Sequence, residues 1–152
     1  MYPWLEPYQQ RFQKVWASKR IPHAFLLVGP SGMGKAALAA EWASLFLCEQ
    51  PQQESACGVC HSCQLLRQHS HPDWHLYGAD DTKSIGVDTI RQLSAQLVHS
   101  PQQGKGKVAV ISQAERMTEA AENALLKTLE EPPGNSLLIL LAESAMKLLP
   151  TI

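Results

Sequence analysis

The chain has 152 residues, of which 45% are apolar and 18% charged, with a net charge of −1 and four cysteines. That length and apolar content suit a soluble domain able to bury a real core. The near-neutral charge, without a Lys/Arg run, gives no global field toward nucleic acid or membrane, and no apolar stretch approaches the roughly 20 residues of a membrane span.

The start, Met1-Tyr2-Pro3-Trp4-Leu5-Glu6, has no basic region ahead of an apolar one and is no signal peptide. A cytoplasmic protein with its cysteines held as thiols is expected. Residues 5–18 read as an amphipathic helix, with Leu5, Tyr8, Phe12, Val15 and Trp16 near helical spacing. Ala24 to Val28 is an apolar run that reads as a buried strand, and Lys35 to Cys48 reads as a helix. Residues 49–72 are polar and cysteine-rich, with no clean period. Trp74 to Tyr77 is a short second strand. Val87 to His99 is a helix with Val87, Ile90, Leu93 and Leu97 on one face. The turn Gln103-Gly104-Lys105-Gly106 precedes a third strand, Lys107 to Ile111. Thr118 to Leu129 is a helix, with Thr118 as N-cap and Pro132-Pro133 as the stop. Leu137 to Ala142 is a fourth strand. Strands alternating with helices imply an α/β fold with a parallel, doubly wound sheet, whose ligands sit at the strands' C-terminal ends.

Gly29-Pro30-Ser31-Gly32-Met33-Gly34-Lys35-Ala36 falls at such an end. It matches a phosphate-binding loop, G-x-x-x-x-G-K-[ST], in all but its last position. Backbone N–H groups and the Lys would cradle phosphates, but Ala36 has no hydroxyl for Mg²⁺. The bland alternative is a tight turn that packs a helix on a sheet. Mg²⁺-dependent hydrolysis also needs an Asp after a neighbouring strand, with a Glu beside it to align water. After the third strand stand Ser112 and Gln113, and the next carboxylate is Glu115. Three groups are therefore missing together, and no useful ATPase activity is expected. The candidate cofactor-binding residues are Gly29, Gly32, Gly34 and Lys35, in a vestigial loop where ATP or ADP is not expected. The helix N-terminus and Lys35 still favour an anion there.

Cys48, Cys57, Cys60 and Cys63 are spaced C-x8-C-x2-C-x2-C. Four thiolates so close suit a structural, tetrahedral Zn²⁺, with Gly58 permitting the knuckle's turn. A redox C-x2-C pair normally opens a helix after a strand, and two disulfides are disfavoured in the expected compartment. His61, His69 and His71 are nearby donors that could replace one cysteine, but they read rather as solvated loop histidines. Four protein ligands leave no open position for catalysis.

Asn123-Ala124-Leu125-Leu126-Lys127-Thr128-Leu129-Glu130-Glu131-Pro132-Pro133 carries an apolar stripe at Leu125, Leu126 and Leu129. By composition it is an amphipathic core helix ended by prolines. Together with the segment from His23 through Lys35, and with the cysteine cluster followed by His71-Pro72-Asp73, it resembles the AAA+ clamp-loader ATPases. Within that family the resemblance is to the delta-prime branch of the bacterial DNA polymerase III clamp loader, over nearly the whole chain. The resemblance implies one AAA+ nucleotide-binding-like domain over 1–152, with a zinc module inserted at about 48–72. It also implies a sheet of order 5-1-4-3-2, with the fifth strand, the lid and collar domains and a Ser-Arg-Cys segment lying past Thr151-Ile152. The ending at Leu149-Pro150-Thr151-Ile152 itself reads as a boundary inside a larger protein.

Motor subunits of that family carry Ser or Thr where Ala36 stands, Asp-Glu where Ser112-Gln113 stands, and a γ-phosphate-sensing Thr at Ala142-Glu143-Ser144. The resemblance therefore implies a non-hydrolysing, stator-type accessory subunit of a DNA-directed DNA polymerase (nucleotidyltransferase) holoenzyme. Its partners would be the motor subunits and the clamp-opening delta subunit, with the sliding clamp and primed DNA engaged through the complex and no membrane. The 152-residue segment is expected to be monomeric. The alternatives are an ATP-hydrolysing clamp-loader or helicase-loader subunit with unusual metal ligands such as Glu115, and a zinc-stabilised interaction module without a replication role.

Overall fold

The computed structural model describes residues 6–17, 24–30, 32, 34–51, 56–68, 70–78, 84–98, 106–130 and 136–143. Helix α1 (Glu6–Ala17) precedes strand β1 (Ala24–Val28), helix α2 (Lys35–Leu47) and a short helix α3 (His61–Arg67). Strand β2 (Trp74–Tyr77), helix α4 (Val87–Val98), strand β3 (Lys107–Ile111), helix α5 (Glu119–Glu130) and strand β4 (Ser136–Ala142) follow, with one 3₁₀ turn at Ala114–Arg116. The expected strands and long helices all appear, with ends shifted by no more than a residue or so. Parts of those expectations lie outside the described residues: Leu5, Ser18, His99, the turn residues 103–105 and the prolines at 132–133, as well as the side chains of Val15 and Trp16.

The sheet is wholly parallel, in the order β1-β4-β3-β2. Side chains alternate between its faces because the strand period is two. On one face Val108, Val110, Leu137, Ile139 and Leu141 pack with Phe12, Leu38, Trp42, Leu45 and Phe46 of α1 and α2. On the other, Ala109, Ile111, Leu138 and Leu140 meet Ile90, Leu93 and Leu97 of α4 and Leu125 of α5. The central strands β3 and β4 are buried along their whole length, as an apolar run covered on both faces should be. β1 departs from the buried strand read from its sequence. Its residues are only part-buried and Val28 is 46% exposed, because among the described residues β1 lies at one edge of the sheet. An aromatic trio fastens α1 to this edge. Phe12 stacks on Trp42 with centroids 4.6 Å apart, and Phe25 lies 5.5 Å from Phe12 and 5.2 Å from Trp42. Such pairs contribute about 0.5–1.5 kcal/mol each beyond their area.

Thr118 caps α5 as its position predicts, its Oγ1 accepting from the Ala121 N–H at 3.1 Å. Leu125 is fully buried under α4, whereas Leu126 and Leu129 are half-buried, and Ser94 and Thr128 join the two helices through hydroxyls 2.6 Å apart. α3 is the element that periodicity does not reveal. Its seven residues span barely two turns, and its start is set by Cys60, whose sulfur accepts the Cys63 N–H as an N-cap oxygen would.

Candidate functional site

Two sites contain the candidate residues. The first is a cleft of about 570 Å³ at the C-terminal ends of the strands, lined by Gly32, Gly34, Lys35, Ala36, Ser112, Gln113, Glu115 and Glu143. Sheet order explains its place. The chain leaves β1 for the far edge at β2 and returns through β3 to β4, so the loops after β1, β3 and β4 converge. The Gly29 N–H bonds the Ala142 carbonyl at 3.0 Å, carrying the β1–β4 pairing into the loop. Gly34 caps α2 in the left-handed region (φ 98°), which a residue with a Cβ resists. Lys35 Nζ donates to the carbonyls of Gly29 (2.5 Å) and Pro30 (2.9 Å), so the ammonium is fixed over the loop. Gly29, Gly32, Gly34 and Lys35 thus stand together between β1 and α2, with Ser31 and Met33 outside the described residues.

The three positions singled out for Mg²⁺ and water lie in this cleft as Ala36, Ser112 and Gln113. Ala36 is exposed at the first turn of α2 and presents a methyl. Gln113 sits in the left-handed region (φ 55°), with its side-chain carbonyl accepting from the Arg116 guanidinium at 3.0 Å. The Glu115 carboxylate reaches the cleft, but one of its oxygens accepts the Glu143 N–H at 2.9 Å and so bridges the ends of β3 and β4. That contact is invisible in the sequence, where Glu115 and Glu143 are 28 positions apart.

The second site is the cysteine cluster. The four Sγ atoms lie within 4.8 Å of one another, with Cys48–Cys60 at 3.9 Å and Cys57–Cys63 at 4.0 Å. A tetrahedron of sulfurs about 2.3 Å from Zn²⁺ has edges of about 3.8 Å, so the donor set fits that ion. Backbone N–H groups point at the sulfurs: Cys57 N to Cys48 Sγ (3.2 Å), Val59 and Cys60 N to Cys57 Sγ (3.5 and 3.3 Å), and Cys63 N to Cys60 Sγ (3.4 Å). These donors favour thiolates. Those from Val59 and Cys60 pull the Cys57 thiol down to about 6, while burial raises Cys48 and pushes Cys63 up to about 12. Four sulfurs so crowded ionise together only around a cation, which would displace the protons of the buried pair. A metal held here would supply folding energy to a segment that has little core of its own.

The histidines divide. His61 is exposed, as read, but it opens α3 rather than lying in a loop, and His69 lies outside the described residues. His71 differs from its sequence reading: it is 95% buried (5% exposed), because both ring nitrogens are engaged under α3.

The parallel sheet, its strand order and the loop-to-helix cradle define a protein of the AAA+ P-loop NTPase class. The chain belongs to the DNA polymerase III delta-prime family: the family described as "DNA polymerase III, delta subunit" matches residues 5–152. It is 42% identical over 153 residues to the DNA polymerase III subunit delta' of Pseudomonas aeruginosa, covering 100% of this chain and 46% of that protein. It is 37% identical to the subunit delta' of Escherichia coli K12, covering 99% and 46% respectively. The chain thus spans about half the length of these curated relatives. Among solved structures, a DNA polymerase III gamma subunit-related protein of Thermotoga maritima superposes with a TM-score of 0.64 at 25% identity, over 95% of this chain and 42% of that one. The Thermotoga maritima RuvB branch migration motor shares the fold, with a TM-score of 0.54 at 16% identity over 97% and 40% of the two chains.

Proposed function

We propose that this chain is the AAA+ module of a non-hydrolysing, stator-type subunit of the DNA polymerase III clamp loader, helping to place the sliding clamp on primed DNA. The reading starts from the family and is carried by one observation: the cleft at the phosphate-type loop is lined by Ala36, Ser112 and Gln113, where a motor needs a hydroxyl and two carboxylates. The engagement of Glu115 with the Glu143 N–H argues against its service as a substitute metal ligand. The subunit itself performs no chemistry. It acts as a rigid partner for the motor subunits and the clamp-opening delta subunit, in the cytoplasm, as an accessory to a DNA-directed DNA polymerase. The four-cysteine module holds a structural Zn²⁺, and no ATP or ADP turns over at Gly29, Gly32, Gly34 and Lys35. A fifth strand, from sequence beyond residue 152, would pair beside β1, ahead of the lid and collar domains.

The test is ATP binding and hydrolysis by the purified protein, with and without Mg²⁺, beside an Ala36→Thr/Ser112→Asp/Gln113→Glu variant. Absence of turnover in the natural sequence is expected. Mg²⁺-dependent turnover there would make it a motor and overturn the reading.

A further inference from the structure

His71 lies outside the four-cysteine cluster, yet it is hydrogen-bonded to α3, which carries Cys63. Its Nδ1 accepts the Asp73 N–H at 3.0 Å, so the ring proton belongs on Nε2, which then donates to Ser62 Oγ at 3.2 Å. Ser62 has no exposed surface and sits in the first turn of α3, beside Cys63 and two residues after Cys60. The next link is in the sheet, where the Asp73 carbonyl accepts the Val108 N–H at 2.8 Å at the start of the β2–β3 pairing. A continuous path therefore runs from the metal-bearing helix through Ser62, His71 and residue 73 into β3. With Nδ1 committed as an acceptor and Nε2 as a donor, the ring has no lone pair left for a metal, which separates it from the cysteines.

We infer that His71 is a positioning residue for the four-cysteine metal site, a two-ended clamp that fixes α3, and with it Cys60 and Cys63, against the sheet. The inference rests on the four-thiolate zinc reading. A neutral imidazole is well matched to the task because it offers one acceptor and one donor about 2 Å apart on a rigid ring. Asn at position 71 can still accept the N–H two residues on, as Asn commonly does in turns, but it is too short to reach Ser62. Ser62→Ala cuts the same link from the other side.

Zinc affinity of the full-length protein, measured by competition with a chromophoric chelator, and the visible spectrum of its cobalt(II) form test the clamp. His71→Ala is expected to weaken zinc binding roughly 10–100-fold, the usual effect of losing a partner that orients the ligand shell. It should also alter the cobalt bands that report tetrahedral sulfur geometry. His71→Asn and Ser62→Ala should match each other and fall between His71→Ala and wild type. Should His71→Ala fail to fold, Ser62→Ala carries the test, since it removes a single hydroxyl. Wild-type affinity and an unchanged cobalt spectrum in Ser62→Ala and in the folded His71 variants would overturn the positioning role alone. Wild-type protein that binds no zinc would overturn the four-thiolate reading, and this one with it.

Discussion

Gly78, directly after β2, has little freedom to change. Its φ is +76°, and a Cβ there would lie 2.6 Å from the Ser112 carbonyl oxygen and 2.7 Å from Ile85 Cδ1. The carbonyl is backbone and cannot swing away. Gly78→Ala should destabilise the fold by at least about 2 kcal/mol, combining left-handed strain with the clash. Urea unfolding checks this, and a variant within about 0.5 kcal/mol of wild type would refute it. His75 gives a second prediction. Burial lowers the imidazole pKa of both His71 and His75, with the Lys107 ammonium adding to the effect on His75, whose Nε2 has no hydrogen-bond partner among the described residues. The unfolded chain takes up these protons near pH 6.5, whereas the folded chain does so only at lower pH. The stability carried by the neutral rings is therefore intact above about pH 6.5 and lost as pH falls below it, each ring adding at most about 1.4 kcal/mol per pH unit to the slope. Between pH 7 and pH 5.5, His75→Leu should lose stability less steeply than wild type. An equal or steeper slope would show that His75 is not held neutral.

α3 and its flanking cysteines are the element whose stability does not come from the main core. Only Ser62 and Cys63 of its seven residues are buried, with Leu66 half-buried against the core cluster. A metal held by Cys48, at the end of α2, with Cys57, Cys60 and Cys63 would close this segment by ligation instead. Cys60→Ser should therefore lose zinc and leave residues 48–72 open to protease, while α2, α4 and α5, seated in their own apolar faces, keep their helical signal. Full metal content in that variant would contradict a four-thiolate site. The same argument explains why α3 is hard to see in the sequence. Helical periodicity needs several turns, and a seven-residue helix started by a sulfur cap has no reason to show a stripe. The long elements follow the opposite logic. Ile90, Leu93 and Leu97 recur at the helical period because α4 has one face to bury, and all three are buried.

At the scale of the whole molecule, the parallel sheet puts the loop after β1 beside the loops after β3 and β4, so an anion cradle and its would-be metal wall face each other. If that wall no longer supports hydrolysis, Lys35 serves only to tie the loop to the Gly29 and Pro30 carbonyls. Lys35→Ala should then leave clamp loading by the reconstituted complex within a few-fold of wild type, with a loss of stability on the order of 1 kcal/mol, as for other side chain–backbone hydrogen bonds. A collapse of clamp loading would mean that the loop still works.

The alternation of strands and helices, the phosphate-loop pattern, the absent hydroxyl and carboxylates, and the cysteine spacing are all local properties. They are legible in the chain because each depends on residue type at fixed short offsets. The partial exposure of β1, the capture of Glu115 by the Glu143 amide and the burial of His71 are not local. Each depends on which segments the sheet order brings together: β1 at an edge, the ends of β3 and β4 side by side, and the turn before β2 under α3. A histidine in a polar stretch looks solvated until a buried hydroxyl nine positions earlier is folded over it, and only packing puts it there.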